Sequence, residues 1–296
     1  MKNIVVEKVS EYVALACSEN AQIKENGNLS ENLLFRGQSD IDKNLIPAIG
    51  RNTKGMLGSS ILEEERNMIE MAKYKLPNVF KGSLQPIELL ALLQHHGIPT
   101  RLLDVTENAL VGLYFACHGD YDKDGEVFVF KNNDYDITNY PVVNAIADSY
   151  RFARKSKTLL TDFYKQIVRQ SYFTEQLRID GEDEMSVREG GRWIEQCCER
   201  IMFIYAPSYS LRQNIQRGRY ILFPNRIIDS DNGRMFEKSI APIPKDHDSV
   251  VARITIPKEC KEQIKMDLRL LGVSKGLLFL DNEDMVCREI AERFGG

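Results

Sequence analysis

Thirteen residues, QHHGIPTRLLDVT from Gln94 to Thr106, constrain this chain more than any other stretch. Polar side chains cost free energy when buried without partners. Gln94, His95, Thr100, Arg101, Asp104 and Thr106 must therefore form a network, face solvent or face a ligand, and so must His96. Gly97 and Pro99 set the turn that presents them. Ahead of them PIELLALLQHH reads as a helix begun by Pro86 and ended by Gly97. Behind them ENALVGLYFACHG reads as a small-residue helix, and GEVFVFKNN as a strand entered from the turn DKDG. Two readings stay open: a satisfied internal network in which Asp104 and Arg101 pin a loop, or a polar face turned to a ligand.

The same pattern reading covers the rest of the chain. Val5, Val9, Tyr12, Val13 and Ala16 recur near helical spacing, which predicts an opening helix over 5–19. LLFRG reads as a strand and Asp40 to Gly50 as an irregular loop. A helix is expected over 59–73, with Glu63 to Glu65 placed at its positive end. Residues 140–200 read as a mostly helical insertion within a single domain spanning 1–296. Strands return in RIMFIYA, RYILFP and VVARITIP, and the end of the chain reads as helix, short strand, then helix. Helices and strands of separate periodicity imply an α+β fold.

Composition narrows function mainly by exclusion. With 43% hydrophobic and 28% charged residues the chain is ordinary for a globular protein, and a formal net charge of -4 provides no basic field to gather nucleic acid. No run approaches the ~20 apolar residues of a membrane span, and Glu7 and Glu11 interrupt the apolar start that a signal peptide needs. A cytoplasmic protein without membrane contact is the expectation. The cysteines lack CxxC or Cys/His ligand spacing, so reduced thiols and no metal are expected.

Two further places carry chemistry. Arg36 follows an apolar strand and precedes Gly37, where a backbone can approach a ligand closely and a guanidinium can fork onto phosphate or carboxylate. The alternative is a buried ion pair, with Asp104 as its partner. In SLRQNIQRGRYILFP, Gln216 can donate or accept at the same cleft, or belong to an ordinary strand edge. No Rossmann, P-loop, GxSxG or HExxH motif is present.

These segments together resemble the FRG-domain family: Phe35, Arg36 and Gly37, the stretch QHHGIPTRLLDVTENALVGLYFA, the R-x-x-x-Q-x-G-x-aromatic string from Arg212 to Tyr220, and the closing LGVSKGLLFLDNEDM. The order of parts is also similar to ADP-ribosyltransferases of the arginine-serine-glutamate type. That resemblance implies two small, mainly antiparallel sheets forming a cleft with surrounding helices. It implies that Arg36 clamps a phosphate or ribose of NAD as substrate, that Thr106 orients the arginine, and that Phe115 and Ala116 close the supporting helix.

On the same mapping Asp104 and Gln216 join Arg36 and Thr106 as catalytic residues, with Gly37, Gln38, His95, Thr100 and Arg101 holding the nucleotide beside Arg36. The chain departs from the pattern at Gln216, where a transferase has a glutamate. Either Asp104 or Glu107 serves as the acid, or the domain binds without transfer. The implied activity is that of an ADP-ribosyltransferase-like or NAD glycohydrolase-like effector of bacterial toxin or antiviral defence systems, with a macromolecular acceptor or an antitoxin-like partner. The alternative is a non-catalytic nucleotide-binding or nucleic-acid-binding regulatory module, the latter motivated by Arg212, Arg217 and Arg219 around Tyr220.

Overall fold

A computed structural model describes residues 2–25, 32–51, 60–132, 141–173, 184–205 and 211–279. Strand β1 (Lys2–Val5) leads into helix α1 (Val9–Glu25), then β2 (Asn32–Gln38), α2 (Glu65–Lys75), α3 (Pro86–His95), β3 (Leu102–Thr106), α4 (Ala109–Cys117) and β4 (Gly125–Asn132). Residues 141–198 hold α5 (Pro141–Ala147), α6 (Ser149–Phe152), β5 (Lys157–Leu159), α7 (Leu160–Ile167) and α8 (Glu184–Cys198). After these come β6 (Met202–Ile204), α9 (Leu211–Ile215), β7 (Gly218–Leu222), β8 (Arg226–Ile228), β9 (Met235–Glu237), β10 (Val250–Ile256), α10 (Lys261–Leu270) and α11 (Lys275–Leu278).

The fold is α+β, with two sheets of unequal size. Seven strands run in the order β1-β10-β4-β2-β3-β7-β6, and β5-β9-β8 form a small second sheet. Only the β1–β10 pair is parallel among the described residues. The expectation of two small sheets is therefore modified: most strands share one sheet. That sheet is nearly divided. β2 pairs with β4 over seven positions and β3 with β7 over five, yet β2 and β3 meet only at Phe35–Thr106.

Local signals account for the elements around that division. Pro86 opens α3, and Glu88 accepts from the Gln85 N–H at 2.9 Å, which satisfies one of the donors orphaned at a helix start. Gly97 ends it at φ +81°, a conformation glycine adopts without strain. Asn108 caps α4 by accepting from the Leu110 N–H at 3.0 Å. Helix α4 lies so close on β2 that a Cβ at Gly37 would stand 2.0 Å from the Gly112 carbonyl oxygen. Phe35, Val127, Val129, Ala252 and Ile254 pack beneath α1, α4 and α10 on this face. Leu34, Leu103, Val105, Phe128, Phe130 and Ile221 form the core of the opposite face. Helices α3, α5 and α7 pack around Leu102, Tyr220 and Leu222.

Two expectations are corrected here. A strand precedes the first helix, which starts at Val9 and not near residue 5. The short strand expected near the end is helical: Ser274 accepts from the Leu277 N–H and starts α11. The final helix falls outside the described residues. Glu65 stands in the first turn of α2 as expected, and its side chain enters the core. Among the described residues, no helix is long and apolar enough to cross a membrane.

Asp148 gives this fold a pH dependence. Its side chain is 1% exposed, and burial pushes its carboxyl up to about 6 although Arg151 and the Tyr172 hydroxyl oppose the shift. A carboxyl raised in the native state binds more protons there than in the unfolded chain between its ordinary value of 3.8 and about 6. Stability then falls as pH rises through that window and stays lower above it. At ~1.4 kcal/mol per pKa unit the loss is at most about 3 kcal/mol. Asp148→Asn is expected to abolish it. Urea midpoints of the two proteins, compared at pH 4 and pH 7, check this: a difference that does not change with pH removes the assignment.

Candidate functional site

Where β2 and β3 diverge from their single shared pair, a cavity of about 390 Å³ opens. Arg36 and Gln38 of β2, Asp104 and Thr106 of β3 and Gly218 and Tyr220 of β7 line it, with Phe115 and His118 from the end of α4. Arg36 sits at the division itself. Its Nη1 donates to the Asp104 carbonyl oxygen at 2.8 Å, so the guanidinium bridges strands whose backbones no longer pair. The Asp104 carboxylate is 3.9 Å away and 65% exposed, which makes the ion pair a weak, solvated one. Burial lowers the Arg36 pKa, with Asp104 opposing the shift. Its Nε is buried with no hydrogen-bond partner among the described residues.

The cavity is cationic. Arg36, Lys43, Arg51 and Arg212 line it, against Asp104 as the one carboxylate in the lining among the described residues. Asp104 is fixed from behind: Gln94 Nε2 donates to its Oδ1 at 2.9 Å, and the Thr100 hydroxyl donates to Gln94 Oε1 at 2.5 Å. His118, stacked on Tyr114 at 5.2 Å, has its pKa lowered by burial and by nearby Lys265 and Lys275, so a neutral imidazole faces the cavity at neutral pH.

Several residues singled out from the sequence meet here, and others do not. Arg36, Gly37, Gln38, His95, Asp104, Thr106 and Gln216 all line the cavity. Thr100 stands behind Gln94, and Arg101 is elsewhere. Arg101 is 1% exposed, forked onto Glu65 by two contacts of 2.6 Å, with Nη1 donating to Asn225 at 2.8 Å. It is a core ion pair and not a nucleotide contact. Thr106 does not orient Arg36. It pairs with Phe35, and successive strand residues point to opposite faces. Its hydroxyl donates to the Gln216 carbonyl and accepts from the Asn108 N–H.

Gly37 is explained by the closeness of α4, whatever approaches from the cavity. The Gln216 side chain is directed away to the Leu278 carbonyl at 2.9 Å. Lys43, Arg51 and His118 were not assigned to the site from the sequence. For His118 a signal exists, since it lies four residues after Tyr114 and on the same side of α4. Lys43 and Arg51 sit in an irregular loop without periodicity. Among the described residues, no three His, Cys, Asp or Glu side chains converge as a metal site requires.

The strand, turn and helix that build this cavity have a counterpart in a described family. Residues 31–125 match the FRG domain. No curated protein and no solved structure matches the chain. The FRG segment runs from the start of β2 to the start of β4 and includes Arg36, Gln94, Asp104 and Thr106. Arg212, Gln216, Gly218 and Tyr220 complete the cavity from outside it. The likeness to ADP-ribosyltransferases rests on the order of motifs alone.

Proposed function

We propose that the cavity between β2 and β3 binds a phosphate-bearing nucleotide, with NAD the dinucleotide of choice. The observation that carries this reading is the Arg36 guanidinium, on a side chain 19% exposed, at a cavity lined by three further cations and, among the described residues, a single carboxylate. A part-buried guanidinium suits a phosphate oxygen, because charge-assisted hydrogen bonds are stronger where the dielectric is low. Tyr220, Phe115 and His118 supply flat surfaces for a base or a nicotinamide. A volume of about 390 Å³ falls within the range of small-molecule sites.

The test is calorimetry of the whole chain with NAD, ADP-ribose and ADP, repeated on Arg36→Ala and Arg36→Lys. Loss of hydrogen bonds to a charged group costs about 1.5–3 kcal/mol, so Arg36→Ala should weaken binding by roughly 10- to 150-fold. Arg36→Lys keeps the charge but not the fork, and should recover only part of that loss. Circular dichroism separates lost binding from lost fold. Flat titrations of the wild-type protein with all three ligands would remove the reading.

Turnover of NAD is a second reading, favoured by Asp104 lying 3.9 Å from Arg36 on the same cavity. There Asp104 replaces the missing glutamate, accepting from a ribose hydroxyl and stabilising the positive charge that develops as nicotinamide leaves. It ranks second because Thr106 and Gln216 are engaged elsewhere. Asp104→Asn should stop nicotinamide release and any labelling of macromolecules in extract while leaving NAD affinity within a few-fold. Wild-type protein that binds NAD but releases and labels nothing leaves a binding module. A nucleic-acid surface is not supported by this geometry: Arg219 is buried over Tyr205 at 3.6 Å and Arg212 lies over Phe279 at 4.5 Å, which leaves Arg217 exposed alone of the three.

A further inference from the structure

We propose, resting on the phosphate reading of the cavity between β2 and β3, that Phe279 is a positioning residue which orders the Arg212 guanidinium for the anion. Phe279 ends the described part of the closing stretch LGVSKGLLFLDNEDM and stands outside the cavity lining. Three residues of the lining nevertheless meet it or its neighbour. The Arg212 guanidinium lies over the Phe279 ring at 4.5 Å, and Phe115 meets that ring edge-on at 6.3 Å. Gln216 Nε2 donates to the Leu278 carbonyl at 2.9 Å.

Helix α9 is too slight to hold that arginine by itself, being five residues long with none of them buried. Residues four apart share a helix face. The Gln216 N–H donates to the Arg212 carbonyl at 2.9 Å, so the two side chains leave the same side of the turn. That side meets two consecutive residues, Leu278 through its carbonyl and Phe279 through its ring. The seat is anchored in turn, since Leu278 is 1% exposed and Ser274 caps α11. An arginine side chain has large rotamer freedom, and ordering it in the free protein removes that cost from binding. Stacking covers the face of a guanidinium and uses none of its N–H donors, which lie in its plane and can fork onto a phosphate. The Arg212 charge is felt inside the cavity: it opposes the rise that burial and Asp104 impose on the pKa of the Tyr220 hydroxyl.

The experiment measures affinities of the full chain for NAD, ADP and inorganic pyrophosphate by calorimetry. Phe279→Leu keeps apolar bulk without the ring and should weaken whichever probes bind by roughly 3- to 30-fold, the range of one cation–π contact. Phe279→Tyr restores a ring and should bind within about two-fold of wild type. In an Arg212→Gln protein, Phe279→Leu should bring no further loss, because the ring acts through that one side chain. An equal further loss in that background makes Phe279 a general support of the cavity wall and overturns the proposal. A folded leucine variant that binds like wild type overturns it too, and leaves the phosphate reading standing. Binding of pyrophosphate alone removes the nucleotide, and the same comparisons on pyrophosphate then decide the role of Phe279. Wild-type protein that binds none of the three overturns both. One check needs no change at Phe279: the Arg212 Nε–Hε resonance of the 15N-labelled chain, identified by its loss in Arg212→Gln, should be ordered in the absence of ligand. Mobility equal to that of exposed Arg217 contradicts the seat.

Discussion

Glu65→Ala is expected to lower the stability of the fold by about 3–5 kcal/mol, because it leaves the Arg101 guanidinium buried without its counter-charge. Both side chains are 2% exposed or less, and both carboxylate oxygens of Glu65 accept from Arg101 at 2.6 Å. Neither charge has water to return to. The neighbouring Glu63 is exposed, and Glu63→Ala should change stability by no more than about 0.5 kcal/mol. Replacing both partners with apolar residues, Glu65→Leu with Arg101→Met, removes the desolvation cost together with the attraction. That double variant should lie closer to wild type than either single change. Urea denaturation of wild type, the two alanine variants, the two apolar single variants and the double variant checks it, and equal stability of Glu65→Ala and Glu63→Ala contradicts it.

Gly37→Ala is expected to be as damaging by another route. The added Cβ would stand 2.0 Å from the Gly112 carbonyl oxygen and 2.6 Å from the Ala116 nitrogen, both backbone atoms of α4. No side-chain rotation relieves such a contact, so α4 must lift off β2 and take the underlying core with it. Overpacking commonly costs about 1–3 kcal/mol, and a clash with backbone lies at or beyond the upper end. Gly82 is exposed, and a methyl group added there would meet nothing within 4 Å, so Gly82→Ala is the matched control. Thermal melts separate the two: a Gly37→Ala protein that melts with the control shows that the helix does not need the glycine.

Much of the fold was legible because its signals are local. Pro86, Glu88 and Gly97 mark both ends of α3 within a dozen residues, and the alternating or continuous apolar runs of β4, β7 and β10 lie within single strands. The polar stretch from Gln94 to Thr106 was legible as a place needing partners, but the identity of those partners was not. Arg101 finds Glu65 36 residues upstream, inside an acidic run that helix-end electrostatics already explains. Thr106 finds the Gln216 carbonyl 110 residues downstream. Gly37 illustrates a different limit. A glycine beside a ligand and a glycine beneath a helix are alike in sequence, and only the path of α4 separates them.

The single Phe35–Thr106 pair has a consequence for how such a site can diversify. Within a continuous ladder each strand residue is committed to neighbours on both sides, so altering one disturbs the register of the next. At the parting of β2 and β3 that commitment lapses on one side. Arg36 and Gln38 keep their partners Phe128 and Glu126 on β4, while the side facing β3 is free of strand pairing. Side chains there can be exchanged for others of different charge or reach while the backbone that carries them stays anchored. The tolerance is one-sided, since Phe35 and Gly37 on the same strand are locked beneath α4. One strand thus combines a fixed frame with a replaceable set of cavity-lining groups, so descendants of this architecture can change what the cavity presents without first having to change fold.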